Sequence, residues 1–240
     1  MVQRQGLQHY LTKEVFVTGS TFSANEAVHQ GAAASGHAYG GGLYVFGNTA
    51  SLLNTTLSGN SAKADGKAYG GGLFVKGEIV AHVTHSTIAA NLADGAGGAY
   101  GGGISHFPSG SGTERSEQVV LLNTLLSGND ALGAAAPKGD DCYEKTYTLG
   151  NNLLSQDDNC YLDSSLASGS VIDQLDVDPQ LAALASNGGR VETHALGSSS
   201  PARGTASCLD WTGEPVTVDA RGIPRDGHCD LGAYEFRDRR

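Results

Sequence analysis

Tyr69-Gly70-Gly71-Gly72-Leu73 is the middle copy of a motif that occurs three times, each time at the start of a short apolar stretch. The copies begin at Tyr39, Tyr69 and Tyr100, so they recur every 30 or 31 residues. Residues 15–155 lack the apolar spacing of an amphipathic helix, and turn residues and β-branched residues dominate there. A repeat of this length predicts similar structural units stacked on one another.

A second motif recurs in step with the first and ends in an asparagine each time, at Asn25, Asn60, Asn91 and Asn129. The shared period predicts an all-β fold, a right-handed parallel β-helix (solenoid) of about five coils over residues 10–165, with three short strands in each coil. Equivalent residues on neighbouring strands lie about 4.8 Å apart. We therefore expect the four asparagines to form a hydrogen-bonded ladder at one corner.

The repeat is absent after about residue 165. Asp178–Leu184 is predicted to form a short helix, with Asp178 as the N-cap and Pro179 at the first helical position. We expect residues 166–236 to form a C-terminal cap packed on the solenoid, because unpaired strand edges promote aggregation. No comparable segment precedes residue 10, so self-association through the open N-terminal end is a further expectation.

Composition narrows the classes of partner. The chain has 240 residues, 35 glycines and a net charge of −10. An acidic surface repels the phosphate backbone, which disfavours nucleic acid as a partner. No apolar run approaches the roughly 20 residues of a membrane span. We expect no cofactor.

Four cysteines allow three disulfide pairings. The short spacings favour Cys142–Cys160 and Cys208–Cys229, which implies an oxidising compartment. The N-terminus lacks the apolar stretch of a signal peptide, so we expect a mature form or a fragment. The alternative is a cytoplasmic protein with four free thiols.

The paired motifs resemble the GGA[ILV] and FxxN repeats of chlamydial polymorphic outer-membrane proteins over about residues 15–130. This chain has glycine where that family has alanine, and leucine or isoleucine at three of the four phenylalanine positions. The resemblance implies a surface-exposed β-helix with an adhesive role.

The end of the chain resembles the choice-of-anchor type Q domain of secreted bacterial β-helix proteins. The segments that carry the resemblance are Asp178–Leu181, Asn187–Gly189, Thr193–Leu196, Ser200–Ala202, Asp219–Arg225 and Cys229–Glu235. This resemblance implies a secreted or cell-surface protein. Neither family supplies a known catalytic residue.

Tyr39, Tyr69 and Tyr100 share one register and are the candidate ligand-binding residues. Three rings about 5 Å apart form an aromatic strip on which sugars stack. The alternative is that the rings pack on one another and stabilise the sheet.

Four polar residues near this strip are candidate catalytic residues: His37, Lys67, Asp65 and Asp94. A lyase acting on a uronic-acid polymer needs a base for the C5 proton and a cation for the carboxylate. The alternative is a solvated charged face.

The remaining polar clusters have structural interpretations. His82 and His85 lie three residues apart in a strand, so they face opposite sides and do not chelate one metal. His85 aligns with Asn54 and Asn123 and is expected to take over their hydrogen-bonding role. Asp219, Arg221 and Arg225 are expected to clamp the cap to the last coil.

One region of the sequence is rich in aspartate, a residue type whose carboxylate binds calcium. It comprises Asp157, Asp158, Asp163, Asp173, Asp176 and Asp178. Calcium takes six to eight oxygen ligands, but the spacing matches no known calcium loop, and no metal site is predicted.

These observations favour a secreted or cell-surface, adhesin-like structural protein of bacterial type that binds polysaccharide or a cell-surface glycan along one face. The alternative is a polysaccharide-active enzyme, a lyase before a hydrolase, which rests on fold analogy alone. The expected location is extracellular or at the cell surface.

Overall fold

The computed structural model describes residues 7–9, 14–31, 36–46, 49–77, 79–107, 118–133 and 139–237, with side chains from residue 14 onward. The chain forms a parallel β-solenoid of about four turns. The first coil comprises β1 (Leu7–His9), β2 (Val15–Thr18), β3 (Thr21–Ser23), β4 (Glu26–His29) and β5 (Ala38–Tyr39). The second comprises β6 (Leu43–Phe46), β7 (Thr49–Leu53), β8 (Thr56–Ser58), β9 (Ser61–Ala64) and β10 (Lys67–Tyr69).

The later coils repeat this order. The third comprises β11 (Leu73–Lys76), β12 (Val80–Thr84), β13 (Thr87–Ala89), β14 (Leu92–Gly95) and β15 (Gly98–Tyr100). The fourth comprises β16 (Ile104–His106), β17 (Gln118–Leu122), β18 (Leu125–Ser127) and β19 (Asp130–Leu132). It is followed by β20 (Glu144–Gly150), β21 (Leu153–Leu154), β22 (Cys160–Asp163) and β23 (Gln174–Leu175), and finally by β24 (Leu181–Ser186) and β25 (Glu192–Leu196).

Equivalent strands of successive coils stack into five parallel sheets. In spatial order the sheets are β1-β6-β11-β16, β15-β10-β5, β2-β7-β12-β17-β20-β22, β23-β21-β18-β13-β8-β3 and β19-β14-β9-β4. The sheets therefore extend to Leu175. Among the described residues no helix is long and apolar enough to cross a membrane.

Each complete coil has five strands rather than the three predicted, because left-handed corner residues interrupt the extended chain. One corner carries Asn54, His85 and Asn123, with φ of 50°, 44° and 54°. A second carries Ala24, Gly59, Ala90 and Gly128. The third follows each repeated tyrosine, at Gly40, Gly70 and Gly101. Glycine and asparagine tolerate this backbone region best, which explains their recurrence.

The interior of the coils holds two kinds of packing. The wide part is filled by stacked aliphatic side chains, including Leu43, Leu73 and Ile104, all fully buried. The narrow end, between the sheets of β9 and β10, holds alanines only: Ala38, Ala62, Ala68, Ala93, Ala99 and Ala131. Larger side chains at this end would separate the two sheets.

The four repeated asparagines form one continuous ladder. The backbone and side-chain N–H groups of Asn25 both donate to Oδ1 of Asn60, at 3.0 and 3.0 Å. Asn60 donates in the same way to Asn91, and Asn91 to Asn129. The carboxamides are buried from the second coil onward, so each ladder bond satisfies a polar group shielded from water.

The ladder explains why the two motifs share one period. A Cβ placed on Gly42 would lie 2.8 Å from the amide nitrogen of Asn60, and one on Gly72 would lie 3.0 Å from that of Asn91. The third glycine of each triplet therefore packs directly against the ladder. Neighbouring coils therefore need the ladder asparagine and the third glycine of the triplet together, which gives the two motifs the same period.

The ladder ends on a carboxylate. Nδ2 of Asn129 donates to Oδ1 of Asp141 at 2.7 Å, and Oδ2 of Asp141 accepts from the backbone N–H of Gln156 at 2.9 Å. Burial raises the pKa of Asp141, and the donors around it oppose that shift. A ladder in which every member donates toward the C-terminus needs an acceptor at its end, and the carboxylate of Asp141 supplies one. The sequence motif did not reveal this residue.

The predicted helix at Asp178–Leu184 is wrong. Leu181–Ser186 forms β24, which pairs antiparallel with β25. Oδ1 of Asp178 accepts a hydrogen bond from the backbone N–H of Gln180 at 2.8 Å, so the residue caps a turn. Turns and helix starts use the same residue types, so the local signal does not separate them.

Disulfides join Cys142 to Cys160 and Cys208 to Cys229, the pairing that the spacing favours. The first links the segment after the fourth coil to β22. The second closes a loop of the C-terminal segment. Such bonds restrict the unfolded chain and so stabilise the folded one.

The C-terminal segment lies along the flank of the coils. Oγ1 of Thr21 in the first coil donates to the carbonyl of Glu192 at 2.6 Å, and the backbone N–H of Ala233 donates to Oγ1 of Thr87 in the third. Asn123 in the fourth coil hydrogen-bonds Ser207. These contacts cover the outer face of the sheet that contains β8, β13 and β18.

Buried arginine clamps are present, but they reach a different coil from the one expected. Arg221 pairs with Asp219 at 2.6 Å, and Arg225 pairs with Glu235 at 2.7 Å. Nη2 of Arg225 then donates to Oδ1 of Asn54 at 3.1 Å. Asn54 belongs to the second coil, so the clamp fastens the segment near the middle of the solenoid rather than at its last coil.

His82 and His85 lie under this segment and differ in their roles. The ring of His82 stacks on Trp211, with centroids 3.8 Å apart. The ring of His85 is fully buried, and its Nε2 lies 3.0 Å from Nδ2 of Asn123. His85 thus takes the left-handed corner position of Asn54 and Asn123 and accepts one hydrogen bond there, from Asn123.

His85→Asn is expected to make the protein less sensitive to acid. Burial, with a contribution from Arg225, lowers the pKa of His85 to about 3. The unfolded chain therefore binds a proton below about pH 6.5 while the folded protein does not, and the free energy of unfolding falls as pH falls. Asparagine removes this loss and suits the left-handed corner. Between about pH 6 and pH 4, we expect wild type to lose about 1 kcal/mol more per pH unit than the variant.

Guanidinium unfolding at a series of pH values measures this difference. Burial also lowers the pKa of His82, to about 4, and that of His194, and it raises the pKa of Glu235. These groups are common to both proteins and cancel in the comparison. Parallel pH profiles for wild type and variant would contradict the role given to His85.

Candidate functional site

The candidate site is an aromatic strip on the outside of the coils, built on Tyr39, Tyr69 and Tyr100. Strand pairing places the three residues in one register. The ring centroids are 5.3 Å apart between Tyr39 and Tyr69 and 4.9 Å apart between Tyr69 and Tyr100, with the rings nearly parallel. Each ring stands at the end of its strand, immediately before a left-handed glycine.

Two phenylalanines complete the aromatic strip. Phe74 is fully buried, and its ring lies 4.9 Å from that of Tyr39. Phe107 packs edge-on against Tyr39 and Tyr69, with centroids 5.8 and 5.1 Å away. Tyr69 is only 9% exposed. The tyrosines therefore pack on one another. Both faces of the Tyr69 ring are covered, so this ring offers its edge and hydroxyl group rather than an open face.

The packing also fixes the protonation of the strip. Burial raises the pKa of Tyr69 to about 12, with Tyr100 and Tyr39 contributing. Burial likewise raises the pKa of Tyr39. Both hydroxyl groups are therefore protonated at neutral pH and available as hydrogen-bond donors.

Two lysines lean over the strip. Nζ of Lys67 lies 5.5 Å from the ring centroid of Tyr100, and Nζ of Lys76 lies 5.3 Å from that of Phe107. In the described part of the chain, the ion pairs involve other cations, namely Lys63, Lys145, Arg221 and Arg225. The ammonium groups of Lys67 and Lys76 are held by aromatic rings, an arrangement that cation–π attraction stabilises.

His37 lies beside the strip but does not offer a base to it. The backbone N–H of Lys67 donates to Nδ1 of His37 at 3.0 Å. A ring that accepts at Nδ1 carries its proton on Nε2, so the second nitrogen is a donor. This geometry weighs against His37 as the base that removes a C5 proton.

Asp65 and Asp94 border a surface depression that neighbours the strip. Both line an open surface depression of about 400 Å³, together with His29 and Lys63, whereas His37 and Lys67 do not line it. Oδ2 of Asp65 accepts from the backbone N–H of Gly31 at 3.1 Å. The four candidate catalytic residues thus divide into two places.

The acidic region is largely used for structure. Asp173 accepts hydrogen bonds from Thr148 and from Asn152, and Asp163 pairs with Lys145. Within the described residues, no group of three or more histidine, cysteine or acidic side chains is arranged to hold a metal ion. Calcium binding by this region, which the sequence does not favour, is not tested by the structure.

Sequence reasoning found the tyrosines and Lys67 but missed Phe74, Phe107 and Lys76. A signal for Phe74 was available, because it aligns with Tyr44 on the neighbouring strand. Phe107 follows the third repeat and has no counterpart in the motif. Comparisons of the chain with protein-family models, with curated proteins and with solved structures find no match.

Proposed function

We propose that this protein is a secreted or cell-surface, adhesin-like structural solenoid that binds a glycan, and that the aromatic strip is its binding face. One observation carries the proposal: the strip combines tyrosine hydroxyls, ring edges and two lysines on a face away from the C-terminal segment. That segment contacts β3, β13 and the corner residues Asn54 and Asn123. The tyrosines of the strip lie on β5, β10 and β15, and Phe74 lies on β11.

Two further observations support this proposal. Two disulfides fit an oxidising, extracellular compartment. The resemblance of the repeats to chlamydial surface proteins, and of the C-terminal segment to the choice-of-anchor type Q domain, points the same way. Surface attachment and a bacterial source belong to this proposal.

Replacing tyrosine hydroxyls tests the binding face. Tyr39→Phe with Tyr100→Phe keeps the ring packing and removes two polar contacts. Each hydrogen bond contributes about 0.5–1.5 kcal/mol, so we expect about tenfold weaker binding to the best polymer of an immobilised panel containing polygalacturonate, alginate, xylan, cellulose and dextran. Tyr161→Phe is the matched control, because Tyr161 is 66% exposed and outside the strip. Binding that is absent, or unchanged by the double substitution, would overturn the proposal.

The alternative function, a polysaccharide-active enzyme, is favoured by the two carboxylates in the depression. A hydrolase needs a pair of carboxyl groups about 5–9.5 Å apart on one face. The same polymers, incubated with protein and assayed for new reducing or unsaturated ends, test this alternative. Release that Asp94→Asn abolishes would establish it.

A further inference from the structure

We infer that the ligand of the aromatic strip is a polyanionic glycan, one that carries carboxylate or sulfate groups along its length. This inference rests on the proposed function and names its ligand class.

The stacking of the tyrosine rings decides which part of each ring a ligand can reach. An aromatic ring is electronegative on its faces and electropositive at its edge. In the strip both faces of Tyr69 are covered, by Tyr39 on one side and Tyr100 on the other. At Tyr69 a ligand therefore meets the ring edge rather than a ring face, and ring edges attract anionic oxygens. Neutral sugars that stack on ring faces find no open face at Tyr69.

The polar groups around the rings are rich in hydrogen-bond donors. The hydroxyl groups of the tyrosines can donate, Nε2 of His37 carries a hydrogen, and Lys67 and Lys76 each bring three ammonium donors. Hydrogen-bond donors are thus numerous around the strip, while each tyrosine hydroxyl can also accept. A ligand that satisfies them must be rich in acceptors, and carboxylate and sulfate oxygens are the strongest acceptors on glycans.

The positive charge of Lys67 and Lys76 contrasts with the net negative charge of the protein. The chain carries 25 acidic and 15 basic residues, so its overall charge opposes an anion. Lys63, one sheet away, is neutralised by Glu26 at 2.7 Å. Lys67 and Lys76 instead lie over the aromatic rings of the strip, so their positive charge remains available to a ligand. The row of rings continues to Tyr143, whose ring lies 5.0 Å from that of Tyr100, and Glu144 hydrogen-bonds Tyr143 and adds a negative charge at this end.

Matched polymer pairs test the ligand class. Equilibrium binding is measured for polygalacturonate against its methyl-esterified form, and for dextran sulfate against dextran. We expect each polyanion to bind at least about tenfold more tightly than its neutral partner, and added salt to weaken the binding. The first pair reports carboxylate recognition and the second reports sulfate recognition.

Variants that each remove charge at chosen positions test which residues cause the preference for the polyanion. Lys67→Gln with Lys76→Gln is expected to remove most of the preference for the polyanion. Lys63→Gln is the matched control and should leave it unchanged, because that ammonium is already paired. Glu144→Gln should strengthen binding to the polyanion.

The outcomes separate this inference from the proposed function. Equal binding of charged and neutral partners, weakened by Tyr39→Phe with Tyr100→Phe, would leave the binding face standing and overturn the polyanion. A polyanion preference that survives Lys67→Gln with Lys76→Gln would also overturn it. Failure of all four polymers, and of the wider panel, to bind would overturn both.

Discussion

Gly71→Ala is expected to destabilise the protein by more than about 3 kcal/mol, because a new methyl group would enter a space occupied by backbone. A Cβ on Gly71 would lie 2.4 Å from the carbonyl carbon and oxygen of Leu92 and 2.5 Å from the carbonyl oxygen of Gly102. These atoms belong to neighbouring stretches of the stacked coils and do not rotate aside as a side chain would. The central glycine of each triplet is therefore a steric requirement.

Two other glycines separate this steric cost from general effects of substitution. Gly169 has open space around it and an ordinary backbone, so Gly169→Ala should change stability by less than about 0.5 kcal/mol. Gly128 has open space but a φ of 61°, so Gly128→Ala should cost only the left-handed strain of about 1–2 kcal/mol. Guanidinium unfolding of the three variants ranks them by their free energy of unfolding. A Gly71→Ala protein as stable as Gly169→Ala would refute the packing described for the triplet.

Asn91→Ala is expected to cost about 3–5 kcal/mol, because it breaks the ladder in its buried centre. Oδ1 of Asn91 accepts from the backbone N–H and from Nδ2 of Asn60, at 3.0 and 2.9 Å. Nδ2 of Asn91 donates to the carbonyl of Leu57 at 3.0 Å and to Oδ1 of Asn129 at 2.9 Å. Alanine would remove all four contacts around a small cavity and leave the backbone N–H of Asn60 without its acceptor.

Two companion variants test the direction of the ladder. Asn91→Asp keeps the shape but replaces the donor with an acceptor facing Leu57 and Asn129, so it should cost at least as much as alanine at neutral pH. Asn25→Ala removes the first member, which is half-buried, and should cost less. Thermal or guanidinium unfolding measures all three. Equal losses for Asn25→Ala and Asn91→Ala would mean that the ladder is not a cooperative element.

Residues that recur at a fixed period are the ones from which the fold could be predicted. Asn25 and its three counterparts lie in line because coils of similar length bring them together. The number of strands in a coil could not be predicted. Asn54, His85 and Asn123 align in the sequence, but a histidine does not signal the left-handed backbone angle that the three share.

The C-terminal segment shows where local signals fail. Asp178 and Pro179 fit a helix start, yet tertiary pairing of β24 with β25 decides the outcome. The position along the flank depends on contacts between residues far apart in sequence, such as Trp211 with His82 and Arg225 with Asn54. No spacing rule reveals such pairs.

The candidate site was predictable in part. The register of the tyrosines follows from the repeat. The burial of Tyr69 and the ring positions of Phe74 and Phe107 depend on side-chain packing that the motif does not encode. For the same reason, the separation of Asp65 and Asp94 from His37 and Lys67 became visible only in the fold.

Hydroxyl-radical footprinting of the folded protein, with and without polygalacturonate, tests the central claim most directly. We expect the polymer to lower the oxidation of Tyr39, Tyr100 and Phe107. Oxidation of Trp211 and Tyr161, which are exposed elsewhere, should not change. Protection confined to other residues, or no protection at the aromatic strip, would contradict the assignment of this strip as the binding face.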